Sequence, residues 1–79
     1  MYQVFDQDSS PPLLPGQTDF IFDFMVSEES ELFVVVSGQL QYAGISYILL
    51  SPESFRMKYK LRGNESVEVF VVEIGRAHV

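Results

Sequence analysis

Residues 31–38, "ELFVVVSG", decide the fold. A glutamate opens the stretch, Leu32 to Val36 form an unbroken valine-rich apolar run, and Gly38 breaks it. Valine and phenylalanine favour extended backbone, and a run without alternation fits a strand that is buried on both faces or central in a sheet. "QLQYAGISYILL" follows directly and reads as further strand and turn.

Working outward from this strand, period two recurs. In "TDFIFDFM", residues 18–25, Phe20, Phe22 and Phe24 share one face while Asp19 and Asp23 take the other, which predicts a strand. "SEES" is a polar turn. Across "LQYAGISY", a two-residue Ala43-Gly44 loop would set Tyr42 against Ile45 and Leu40 against Tyr47, predicting a hairpin. "SPES", residues 51–54, is a second turn. In "FRMKYKLR", Phe55, Met57, Tyr59 and Leu61 alternate with Arg56, Lys58, Lys60 and Arg62. A three-residue loop at Gly63, Asn64 and Glu65 would then pair Leu61 with Val67, Tyr59 with Val69 and Lys60 with Glu68. No segment carries a helical period. About six antiparallel strands joined by tight turns are expected, an all-β sandwich or barrel.

Composition bounds the function. Seventy-nine residues, 47% hydrophobic and 14% aromatic, make one small globular unit near the lower limit for a self-sufficient core. A formal net charge of −6 argues against wrapping nucleic acid through this segment. No apolar run reaches the ~18–20 residues of a membrane span, and the beginning "MYQVFDQDSSPP" lacks a signal core, so a cytoplasmic protein is expected. There are no cysteines, which removes disulfides and thiolate metal sites. Residues 1–16 hold Pro11, Pro12 and Pro15 and read as an extended arm or linker, with the β domain over 17–73.

The final six residues, "IGRAHV", are unrelated to the strand pattern before them. They resemble the conceptual translation of a short-read sequencing adapter. Residues 74–79 are therefore expected to be non-native, with the natural chain continuing beyond Val72. The only histidine, His78, lies in this tail.

With these residues in view, a family resemblance can be stated. Glu31, six residues and Gly38 resemble the close of the first cupin motif, G-x5-H-x-H-x3-4-E-x6-G. "GQLQYAGISYILLSPES" and "YKLRGNESVEVFVVEI" resemble the later strands and late hairpin of that fold. The resemblance covers roughly Asp19 to Val72. It implies a double-stranded β-helix, a jelly-roll half barrel that is incomplete here. Cupins hold a divalent metal through two histidines and the glutamate. Where the histidine pair would stand, this chain has Phe24, Met25, Val26 and Ser27. A lone carboxylate does not hold a transition metal, so no metal, no cofactor and no metal-dependent catalysis is expected. Glu31 is then read as a solvent-facing carboxylate at the start of its strand. "LFVVVSGQL" also resembles a strand of cyclic-nucleotide-binding domains, but the phosphate cassette that would follow is absent.

Metal-free relatives of the cupin fold include the amino-terminal sensor domains of AraC-type transcription regulators. The resemblance implies a non-catalytic, small-molecule-sensing and dimerising domain, in which Tyr42, Tyr47, Phe55 and Tyr59 would line a ligand cavity. Arg56, Lys58, Lys60 and Arg62 form a cationic stripe suited to an anionic partner. Each set has a plainer structural role: the aromatics as core filling, and the cations as a solvated strand face that blocks edge-to-edge association. Two alternatives stand beside the sensor. One is a β-sandwich protein-interaction module, and the other a metal-independent cupin enzyme such as a sugar isomerase or epimerase. A closed roll of this type uses about eight strands, so a six-strand chain is expected to be unstable or to self-associate, for instance as a homodimer.

Overall fold

The computed structural model describes residues 1–72. Seven strands form two antiparallel sheets. They are β1 (Tyr2–Phe5), β2 (Asp19–Ile21), β3 (Leu32–Val36), β4 (Gln39–Leu40), β5 (Tyr47–Ser51), β6 (Ser54–Met57) and β7 (Val67–Val71). One sheet has the order β1-β7-β3-β4 and the other β2-β6-β5. A 3-10 turn, Glu29–Glu31, leads into β3. The adapter-like tail lies outside the described residues.

β3 shows why an apolar run without alternation can still be a one-sided strand. Leu32, Val34 and Val36 are buried in the core, whereas Phe33 and Val35 are only partly covered. The outward Phe33 lies directly across from Phe70 of β7, and their rings stack with centroids 5.5 Å apart. Such a cross-strand aromatic pair lets an apolar residue sit on the outer face. β3 is an inner strand, flanked by β7 and β4.

The core joins the two sheets through phenylalanine. Phe20 of β2 meets Phe5 of β1 across the layers at 5.0 Å between centroids, and stacks on Phe55 of β6 at 5.0 Å. Tyr47 packs edge-on to Phe55 at 5.9 Å, and its hydroxyl donates a 2.8 Å hydrogen bond to the Leu32 carbonyl, tying β5 to β3. Burying one such ring contributes about 1.5–3 kcal/mol. Phe20 and Phe22 are buried and Phe24 packs against them, so the expected phenylalanine face is present, although β2 itself is short.

Strand pairing departs from the sequence expectation in two places. The hairpin expected across Ala43-Gly44 does not form. β4 pairs with β3 instead, with Val36 opposite Gln39. The turn between them is Ser37-Gly38, with φ of 50° and 84°. Two successive positive φ values are what a right-twisted two-residue hairpin turn requires. The hairpin expected over 57–71 is also absent, because β6 and β7 belong to different sheets. β7 is sandwiched between β1 and β3, so Glu68 lies opposite Val4 and Val35, not Lys60. The turn at "SPES" does form, joining β5 to β6 with Ser51 opposite Ser54.

Residues 1–16, expected as an extended arm, are partly built into the fold. Tyr2–Phe5 pairs with β7, and Phe5 and Leu13 belong to the core. Glu31, expected in solvent, is buried at the end of the 3-10 turn, where its carbonyl accepts the Val72 N–H at 3.1 Å.

Candidate functional site

The stretch from Phe55 to Arg62 begins as a strand and then leaves its ladder. Met57 N–H donates to the Thr18 carbonyl at 2.8 Å, and the next link on that side is Leu61 N–H to the Gln17 carbonyl at 3.2 Å. Lys58 N–H still donates to the Ser46 carbonyl at 2.8 Å, and Tyr59 and Lys60 then bow out between two adjacent partner residues. Leu61 returns to the core, and Gly16 N–H donates to its carbonyl at 2.7 Å. This excursion is why Phe55, Met57 and Leu61 are buried as their spacing predicts, while Tyr59 is 42% exposed.

The excursion and the β3–β4 turn face one another across an open groove of about 570 Å³. Tyr59, Lys60, Arg62, Asn64 and Glu65 line one side, and Val36, Ser37, Gln39 and Gln41 the other. Ser37 N–H donates to the Ser66 carbonyl at 2.8 Å and fixes the distance between the walls. Gln41 pins the aromatic wall: its Oε1 accepts the Tyr59 hydroxyl at 3.1 Å, while its Nε2 donates to the Gln39 carbonyl at 3.0 Å. The Glu65 carboxylate accepts the Arg62 N–H at 2.8 Å and the Gly63 N–H at 2.9 Å. Desolvation is the largest single influence on the Glu65 carboxyl and works to raise it, but the backbone amides of Arg62, Gly63 and Glu65 and the nearby Arg62 charge together outweigh it and hold the group below its ordinary value. Partial burial, with the Glu65 charge second, raises the Tyr59 hydroxyl above the usual phenol value.

The four aromatics expected around one cavity do not come together. Tyr47 and Phe55 are core side chains, 2% and 0% exposed. Tyr42 is 61% exposed on the β4–β5 connection and does not line the groove. Only Tyr59 does. The cationic stripe is likewise divided. Arg56 makes a two-pronged contact with Asp19 of β2, at 2.7 and 3.0 Å. Lys58 Nζ donates to the Gly44 carbonyl at 2.6 Å. Lys60 and Arg62 remain at the groove. Sequence reasoning missed Gln39, Gln41 and Asn64. Reading Ser37-Gly38 as the hairpin turn would have placed Gln39 and Gln41 beside the strand that forms one wall.

Among the described residues, no group of three or more His, Asp or Glu side chains could hold a metal ion, and no helix is long and apolar enough to cross a membrane. Comparison with protein-family models, with curated proteins and with solved structures yields no match.

Proposed function

We propose that this chain is a non-catalytic, small-molecule-binding domain of cupin-like, jelly-roll type, acting as the amino-terminal sensor of a larger AraC-type regulator. The observation that carries the binding role is the groove, where an aromatic ring, two cations and side-chain amides converge. Such a set can bind and orient a ligand. The jelly-roll part is supported by nested pairing: β1 with β7 lies outside β2 with β6, as when one long antiparallel ribbon is wound into two layers. The regulator role rests on the family resemblance. Sequencing the genomic locus tests it. A helix-turn-helix region downstream, with DNA binding that responds to a small molecule, is the expected result; a gene without one sinks the sensor role.

One observation favours a protein-interaction module as the second reading. Leu40, Tyr42 and Ile45 are all exposed on the edge strand β4 and the connection after it. Aspartate substitutions at Tyr42 and Ile45 that convert a dimer to a monomer would support that reading.

A further inference from the structure

We propose that the groove takes a small, ring-bearing monocarboxylate, with its carboxylate on Lys60 and Arg62 and its ring against Tyr59. This inference rests on the ligand-binding reading above and adds the chemical class of the ligand. Charge comes first. Two cations and one carboxylate, Glu65, line the groove, leaving one net positive charge. A monocarboxylate neutralises that charge, whereas a phosphate dianion would leave one negative charge uncompensated beside Glu65 and costs more to desolvate. Glu65 is committed already, because its oxygens accept the Arg62 and Gly63 amides. Among the described residues, the Lys60 ammonium has no hydrogen-bonding or ionic partner, unlike Arg56 and Lys58.

The neutral surfaces define the rest of the ligand. The Tyr59 ring is held by its hydroxyl bond to Gln41, so a flat group can pack on it without the ring first having to be ordered. The carboxamides of Gln39 and Asn64 line the same groove and make no side-chain hydrogen bond among the described residues. They can serve hydroxyl or amide substituents on the ring. A volume of about 570 Å³ lies within the roughly 300–1,000 Å³ of small-molecule sites.

The test uses the full-length protein, labelled with 15N and titrated with benzoate, benzamide and phenyl phosphate. Benzoate is expected to give saturable shifts at the amides of Gln41, Tyr59 and Arg62. Benzamide, its neutral analogue, should bind about tenfold more weakly, and phenyl phosphate no more tightly than benzoate. Lys60→Gln and Arg62→Gln should each weaken benzoate about tenfold. Lys58→Gln removes the same charge outside the groove and should change nothing. The proposal is overturned if benzamide equals benzoate, if phenyl phosphate binds more tightly, or if Lys58→Gln costs as much as Lys60→Gln. Absence of saturable shifts up to about 20 mM, within reach of millimolar affinity, overturns it too. The sensor role fails or stands on the gene and its DNA binding, so the two outcomes are separable.

Discussion

Gly63→Ala is the sharpest probe of how the groove wall is held. Gly63 is buried at φ +106°, and a Cβ built there would lie 3.0 Å from both the Cγ and the backbone N of Pro15, and 3.1 Å from its Cδ. Two separate penalties follow. Holding alanine at that φ costs about 1–3 kcal/mol. Overpacking against a proline costs about 1–3 kcal/mol more, since the clash is with backbone as well as ring. Pro15 cannot easily retreat, because Gly16 N–H is bonded to the Leu61 carbonyl at 2.7 Å. The sum is about 2–6 kcal/mol. At about 4–8 °C per kcal/mol for a chain of this size, even a 3 kcal/mol loss lowers Tm by about 12–24 °C. Gly44→Ala is the reference. It shares a positive φ, +81°, but has nothing within 4 Å of the added methyl, so it carries the backbone penalty alone. Urea and thermal unfolding of the two variants, followed by circular dichroism, separate the terms. Equal destabilisation of both would refute the close approach of residues 15 and 63.

Three further outcomes follow from named contacts. Tyr47→Phe removes the hydroxyl that bonds the Leu32 carbonyl, and should cost about 0.5–1.5 kcal/mol in urea unfolding while leaving benzoate binding intact; weakened binding without lost stability would return Tyr47 to the ligand site. Phe55→Ala removes a ring that touches Phe20, Phe22 and Tyr47, and should cost about 3–5 kcal/mol, enough to leave a domain this small largely unfolded at 37 °C; a folded, cooperative variant would count against the core assignment. For Asp19, the hydrogen bond from Arg56 lowers the carboxyl pKa in the folded state. Its contribution is therefore present above the unfolded value near ~3.9 and is lost as pH falls through the lower, folded value. Stability should fall more steeply below about pH 4 in the parent than in Asp19→Asn. Superimposable pH profiles would show that the ion pair contributes nothing, as is common at exposed sites.

The inward residues were legible because period two is a local property. Phe20 and Phe22, Phe55 and Met57, and Val67 and Val69 are all buried where alternation puts them. Pairing is not local. A polar, glycine-bearing segment such as "RGNES" serves equally as a hairpin loop or as a corner where the chain changes sheets, and nothing in its own residues separates the two. Here it is a corner. That difference creates the site. In a hairpin, Lys60 would face Glu68 on a flat sheet, and the two charges would largely satisfy one another. Because β7 instead runs between β1 and β3, Glu68 is carried into the other sheet and Lys60 is left on the excursion after β6. The Ser37-Gly38 turn then brings Gln39 and Gln41 across from it. A free cation, a fixed ring and two walls from distant parts of the chain are thus consequences of one topological choice. A variant that forced the hairpin would lose the groove while keeping every residue that lines it.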